Sequence, residues 1–520
     1  MSNEVRVFGR QKAGDLLAYA ETQRKLASVY SLQGAWGRSI AARRKSAEAF
    51  NACDLPAEAA TERLAAASHL NGAGHFTEAL QMLPAILADA EQAARQDLLA
   101  RAFGLKGSLH ASFGDIERGL AETQQGLSLA LEHNLIGPAS EVYQRLAYVY
   151  EEAADYPGAR DAYHSAVTFC EQHGVSAMEQ VCTACLVVVL HQTGEWKEGV
   201  VLAQSVLASA KAPPTAKLVA SAMLGLILAC QGQIREARRL LNDPLSVARA
   251  NEGLDLEIVC TWGLAMVSES EDDAESALGY CHTLLERWEQ TEEGHYVIPP
   301  LRWAATLFGS IHDTNAIAAC ASGLSRIASV TSNREALAGL AHALGEAALA
   351  NGETQQAVEH FQHALELLVT VEAPFERAQT HMRYGLALVR AGRREEGIHQ
   401  LIEAHRAARK MGARPLAARI SDVLAEMGEH VHERLGQRAT EENKRGGLTR
   451  RQHEIVQLIA EGLTNTEIAA RLTLSVRTVD MHVSYLLIRL DCRSRAEAVR
   501  RAAELNLLEG KYRTFTEKIP

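Results

Sequence analysis

The side chains best placed to do chemistry lie near the C-terminus. Arg477, Met481 and Ser484 recur at helical spacing, flanked by Asp480 and Tyr485. Together they offer a cation for a phosphate, a small hydroxyl, and an apolar tip that fits a thymine methyl. That is the chemistry of reading a DNA groove. The opposite face is a stripe of Val479, Val483, Leu486 and Leu490, which must pack on a core. An ordinary amphipathic helix in a bundle would carry the same stripe, so the stripe alone leaves both readings open.

Elsewhere no residues converge on catalysis. Cys182 and Cys185 form a C-x-x-C inside the apolar run VCTACLVVVL. A redox or metal role needs a helix N-terminal turn or a second ligand pair, and neither is present. They read as buried thiols in a reducing compartment. His110, His191 and His342 are scattered and form no metal-ligand cluster. They read as structural or surface residues. The sequence contains no G-x-x-x-x-G-K-[ST] phosphate loop and no nucleophile elbow. No enzyme, metal or cofactor is expected.

Start signals place four helices around the candidate reading face. Thr449 with Gln452, Thr464 with Glu467 and Ser494 with Glu497 each make a capping box. Ser475 caps the third helix. The second helix ends near Leu472, and a short link over 473–475 joins it to the third, as in a helix-turn-helix. The fourth, Ser494 to Leu507, carries Ala498, Val499, Ala502 and Leu505, a candidate dimer face or simply its contact with its own domain. Charge supports a separate module. Residues 447–520 hold 12 Lys/Arg against 9 Asp/Glu, a net of +3, so with −11 for the whole chain the other 446 residues carry −14.

This segment resembles the LuxR-type (NarL/FixJ-like) DNA-binding domain over roughly 60 residues. The matching elements are Leu448-Thr449, Arg451, Gly462-Leu463-Thr464-Asn465 followed by Glu467-Ile468-Ala469, then Leu472, Ser475, Thr478-Val479, His482-Val483, Leu490 and Ser494-Arg495-Ala496. The resemblance implies a DNA-binding set of Thr464, Asn465, Arg477, Thr478, Asp480, Met481, Ser484, Tyr485 and Arg489. The family's base-contacting positions fall on Asp480, Met481 and Ser484. It also implies dimers on paired half-sites of double-stranded promoter DNA. Two positions depart from the family pattern. Gln452 stands where Glu is usual and can still cap. Asp480 stands where many members carry Lys, which removes a phosphate contact and could instead accept from a cytosine amino group.

The preceding residues are a repeat array. Small residues recur in pairs twelve apart with a period near 40: Ala27/Ser39, Ala67/Ala79, Gly107/Gly119, Ala147/Ala159, Val187/Gly199, Gly225/Ala237, Ala265/Ala277, Gly345/Ala357 and Gly385/Gly397. The slot at Ala305/Ile317 is degenerate, and the step from Val187 to Gly225 is shorter, at 38. Seven residues after most first members comes a glycine: Gly34, Gly74, Gly114, Gly194, Gly232, Gly352 and Gly392. Each predicts a left-handed turn between two antiparallel helices. Large residues fill the next layer: Tyr30, Leu70, Tyr150, Leu190, Leu228 and Leu388 on the first helix, Leu83, Tyr163, Leu241, Phe361 and Leu401 on the second. Segments such as LAYVYEEAADYPGARDAYHSAV resemble tetratricopeptide repeats. The departure is a period of 40 rather than 34, which must lengthen helices or loops.

The fold class expected is therefore all-α. A tetratricopeptide-like superhelix of about ten hairpins spans 1–425. A charged linker follows over 426–447, then a four-helix LuxR-type domain over 448–510 and a tail over 511–520. A concave face is the default binding surface, where Tyr148, Trp262, Trp303 and Tyr384 either line it or fill the core. No window approaches 18 uninterrupted apolar residues, and Met1–Arg10 lacks a signal pattern, so a cytoplasmic protein is expected. Repeats begin near Leu16, so the ATPase domain of large LuxR-type regulators is not expected, nor is a receiver domain. The function expected is a DNA-binding transcription regulator, an activator. Its arm takes a small-molecule, peptide or protein effector, and it works as a homodimer with the transcription machinery and no membrane. The alternative is a protein–protein adaptor that uses the helix-turn-helix for localisation on DNA.

Overall fold

The structure is a computed structural model. It describes residues 3–251, 253–292, 294–429, 448, 450–472, 476, 479, 483, 486, 487, 490, 492, 494–505, 507 and 508. Every regular element among them is helical. Contacts divide the chain between Ile420 and Ser421. No helix among the described residues is long and apolar enough to cross a membrane.

In the first unit, ten helix pairs follow one another from Asn3–Leu32 with Trp36–Ala52 to Pro374–Arg390 with Arg394–Met411, and the helix Arg414–Glu426 that comes after them contains the boundary between the units. Most helices are 17 residues long, as in Pro56–Gly72, Phe76–Gln92 and Gln96–Ser112, and three-residue turns such as 73–75 join them. Two such helices and two such turns make the period of 40. The residues beyond a 34-residue repeat have gone into the helices. The short step of 38 comes from Trp196–Ala208, which has only 13 residues and ends ahead of Pro213 and Pro214.

The pairs twelve apart mark where helix backbones touch. Ser39 Oγ donates to the carbonyl of Ala27 at 2.7 Å. A Cβ built on Gly107 would lie 2.5 Å from the carbonyl oxygen of Gly119. One built on Gly385 would lie 2.8 Å from that of Gly397. The degenerate slot is a hairpin in register, because Ala305 and Ile317 are both fully buried. Of the expected layer, Leu83, Tyr163, Leu190, Leu241, Phe361 and Leu401 are buried, while Tyr30 is half-buried beneath the Arg38 guanidinium.

All seven predicted glycine turns have positive φ, from 71° at Gly34 to 86° at Gly114. The three hairpins without glycine turn the same way on Ala154, Asp272 and His312, at φ of 53°, 60° and 59°. In each hairpin the next N–H reaches back to close the helix, as His75 does to the Leu70 carbonyl at 2.9 Å. Asp115, Asp155, Asp273 and Asp313 then cap the helix that follows.

The superhelix closes on itself. Asn251 Nδ2 donates to the Gln33 carbonyl across 218 residues of chain. Glu292 N donates to the Gly74 carbonyl at 2.9 Å, and its carboxylate takes both donors of Thr77 at 2.7 Å. Gly114 lies against the backbone of Val330 and Thr331, and Gly194 against Pro374 and Met411. Hairpin tips of one superhelical turn thus rest on the next turn. The inner helices are buried over most of their surface, as in Gln96–Ser112 and Leu254–Ser270, so much of the expected concave face packs inside the arm. Trp262, Trp303 and Tyr384 are core residues within it.

In the second unit, the helices Arg450–Ala460, Asn465–Leu472 and Arg495–Glu504 enclose one apolar core with the helical positions Val479, Val483, Leu486 and Leu487, while Val476 is exposed.

Candidate nucleic-acid interface

The C-terminal module is built around its second helix. Thr464 N and Oγ1 both donate to Glu467 Oε2, at 2.7 and 2.8 Å, and Glu467 N returns a bond to Thr464 Oγ1 at 3.3 Å. This is the reciprocal capping box expected from sequence. The Thr464 donors hold the Glu467 carboxyl below its usual range. The helix ends at Leu472, as expected. Ser494 likewise caps the last helix, accepting from Glu497 N at 3.2 Å. Gln452 is buried near the start of Arg450–Ala460, while its expected partner Thr449 and the third cap Ser475 lie outside the described residues.

One tie was not foreseen. Arg495 donates to Asn465 Oδ1 and, at 2.7 Å, to the Leu463 carbonyl. The last helix therefore clamps the N-terminus of the second, and Asn465, expected at the DNA, is engaged by a guanidinium. The Ser-Arg-Ala match in the sequence was the available signal for this clamp. The stripe of Val479, Val483, Leu486 and Leu490 is buried in the core beside Leu448, Ile455, Val456 and Ile468. Ala498 and Ala502 are fully buried in the same core, so of the candidate dimer face only Leu505 is exposed. Of the expected DNA-binding set, Thr464 and Asn465 are neighbours at the helix start. Arg477, Thr478, Asp480, Met481, Ser484, Tyr485 and Arg489 lie outside the described residues.

The arm's interior holds ionic chemistry that the sequence did not disclose. Tyr163 donates to Glu151, and Tyr156 to Glu335, both at 2.5 Å. His295 lies 3.7 Å from Glu151, and Asn333 Nδ2 donates to the Glu152 carbonyl at 2.8 Å. Burial alone would lower the His295 pKa, but the hydrogen bond and charge of Glu151, with Glu152 and Glu335, push it up to about 9. A second group centres on Glu346, held by Arg383 at 2.6 Å. Beside it His342 bridges Thr306 and Thr380 at 2.8 and 3.0 Å, and burial pushes its pKa down to about 4. Of the scattered histidines, His110, His191 and His342 are all buried and structural. Cys182 is buried and Cys185 half-buried, and both are free thiols whose pKa burial helps to push up. No group of three or more possible metal ligands occurs among the described residues.

Residues 447–502 match the model of the bacterial regulatory proteins of the luxR family. The C-terminal segment is a LuxR-family domain. It is similar to the probable transcriptional regulator ycf29 of Cyanophora paradoxa, 42% identical over 66 residues, 13% of this chain and 31% of that protein. It is also similar to the oxygen regulatory protein NreC of Staphylococcus haemolyticus (strain JCSC1435), 40% identical over 62 residues, 12% of this chain and 29% of that protein. The chain thus spans about a third of the length of the curated relatives it matches. The arm has the fold of a Rap protein crystallised with Competence and Sporulation Factor, with a TM-score of 0.51 and 14% identity over 68% of this chain and 99% of that one.

The family match over 447–502 falls wholly within the second unit. The LuxR-family domain accounts for the capping boxes, the buried stripe and the Arg495 clamp. The tetratricopeptide-like arm precedes it in the chain and accounts for the packed interior.

Proposed function

We propose that the chain is a sequence-specific DNA-binding transcription regulator, an activator, whose repeat arm binds an effector and gates the LuxR-family domain. The observation that carries the reading is the family match over 447–502, on a segment whose capping box and core fit a helix-turn-helix. Double-stranded promoter DNA is the partner, read by a homodimer that engages the transcription machinery. Asp480, Met481 and Ser484 read base edges. Arg477, Thr478, Tyr485 and Arg489 support them, and Thr464 and Asn465 approach the backbone at the helix N-terminus. The likeness of the arm to a Rap protein in complex with a factor supports an effector site inside the arm. An effector acts here by favouring one of two arm conformations.

The test is to map the genomic fragments retained by the full chain, then titrate salt on a recovered site. Arg477→Ala should weaken binding to every sequence and lower the salt slope by about one. Met481→Ala should instead change preference at particular base pairs, by about 1–3 kcal/mol per contact. A chain that prefers no sequence over bulk DNA contradicts the regulator reading and leaves the adaptor.

A further inference from the structure

A cavity of about 220 Å³ lies inside the arm where two superhelical turns meet. One wall is the inner face of Pro214–Cys230 and Leu254–Ser270, with Leu218, Met223 and Val259. The other is the tip of the first hairpin, with Gly34 and Trp36. Asn251 latches the rim, donating to the Gln33 carbonyl at 3.1 Å and accepting from Arg38 at 2.8 Å. The walls are mostly apolar, with Gln33, Thr215, Asn251 and Tyr296 as further polar residues beside the one carboxylate. Asp255 lines the cavity, and its Oδ1 is shielded from solvent and has no hydrogen-bond partner among the described residues.

An unpaired carboxyl oxygen in such a place costs free energy unless something occupies the cavity and satisfies it. Water suits the space badly, because a buried water needs two to four polar partners and these walls supply few. Among the described residues no Lys, Arg or His lines the cavity, and Arg38 at the rim is engaged by Asn251. A cation brought from outside would supply the countercharge. Its apolar body would meet the aliphatic walls, and the faces of Trp36 and Tyr296, which also line the cavity, suit a cation near them. The volume is below the roughly 300–1,000 Å³ of drug-sized pockets, so the ligand is small.

We propose that this cavity binds a small organic cation, an ammonium on an apolar body, with Asp255 as its counter-ion. For its regulatory meaning the proposal rests on the effector-gated reading above; the binding itself does not. A ligand here touches both turns of the coil and so favours the closed arm.

The test uses the full chain and three probes of one shape: 2-phenylethylamine, 2-phenylethanol and 3-phenylpropanoate. Isothermal titration at neutral pH should find the amine at least about tenfold tighter than the alcohol, and no saturation by the carboxylate. Asp255→Asn keeps the side-chain shape and removes the charge. It should bring the amine level with the alcohol while thermal unfolding shows the variant folded with a midpoint at or above that of wild type, because the cost of the buried charge is relieved. Leu218→Trp, which takes up cavity volume and keeps the Asp255 carboxylate, should weaken amine and alcohol alike. Equal binding of amine and alcohol by wild type overturns the proposal. So does amine preference that survives Asp255→Asn, or no saturable binding of the amine at millimolar concentration. DNA retention is measured on the same preparations without and with amine. Loss of sequence preference in its absence sinks the regulator reading alone. Amine binding with unchanged DNA retention leaves the cavity assignment standing and removes the gating.

Discussion

The repeat arm and the LuxR-family domain bury helix faces with opposite side-chain volumes. The arm brings backbones together: Gly107 against Gly119, Gly385 against Gly397, Ala27 against Ser39. The domain keeps its helices apart on Ile455, Val456, Ile468, Val483 and Leu486. Buried polar groups differ too. The arm encloses Glu151, Glu335, Glu346, Glu376, Arg302 and His295, whereas Gln452 is the one buried polar side chain among the described residues of the domain. The arm should therefore fail when atoms are added or protons move, and the domain when atoms are removed.

The largest effect is expected in the domain. Leu486 is fully buried at its centre, and Leu486→Ala should cost about 2–5 kcal/mol. Hydrogen exchange on the full chain should show protection falling in 450–505 while the arm keeps its own. Equal loss in both would mean that the two units unfold as one, and the comparison would lose its footing.

The converse applies to the arm. An alanine Cβ at Gly107 would sit 2.5 Å from the Gly119 carbonyl oxygen and 2.7 Å from Thr123 N, both backbone atoms that move only if the helices part. Overpacking of this kind costs about 1–3 kcal/mol or more, against a helix-propensity gain of about 0.5–1 kcal/mol. Gly279 is the control, because it is exposed in Ala274–Arg287 and a Cβ there meets nothing within 4 Å. Urea unfolding should show Gly107→Ala destabilised and Gly279→Ala slightly stabilised. The same sign for both would show that helix contact does not select glycine in the arm.

What was legible in the sequence follows from the range of each interaction. The twelve-residue pairs and the turn seven residues on are contacts within one hairpin, so they repeat in the text at fixed spacing. Even Ala154, Asp272 and His312 keep their place, without the glycine that marks the others. The capping box at Thr464 and Glu467 is equally local. The contact of Gly74 with Glu292, or of Tyr156 with Glu335 across 179 residues, depends on how far each repeat rotates, and no periodic residue records that. The packed interior, its charges and the Asp255 cavity were invisible for this reason. The tie of Asn465 to Arg495 is equally unrecorded in local spacing, because its partner comes from another helix.

The buried charges give the third contrast. His295 has a pKa raised to about 9 from an unfolded value of 6.5. Its contribution to stability is complete below pH 6.5 and is lost as pH rises through about 9. Linkage puts the loss between pH 7 and pH 9 on the order of 2 kcal/mol. Asp255 and Glu376, pushed up to about 7 by burial, act in the same direction but mostly below that window. Denaturant midpoints of the arm should fall between pH 7 and 9 in wild type and change much less in His295→Gln. A slope that survives in the variant would place the titration elsewhere.

The smallest effect tests the turns themselves. Ala94 is exposed between Phe76–Gln92 and Gln96–Ser112, and its φ of 52° puts an alanine in the left-handed region. That conformation costs an L-residue about 1–2 kcal/mol, and glycine avoids the cost while giving back part of the gain through a freer unfolded chain. Ala94→Gly should therefore stabilise the arm by about 0.5–1 kcal/mol, the opposite sign to Gly107→Ala one helix later. Glycine thus serves two separate purposes in the arm, turning the chain and admitting a neighbouring helix. A loss of stability in Ala94→Gly would mean that the turn is held by neighbours that compensate its strain, and the turn positions would then have to be read from packing rather than from backbone preference.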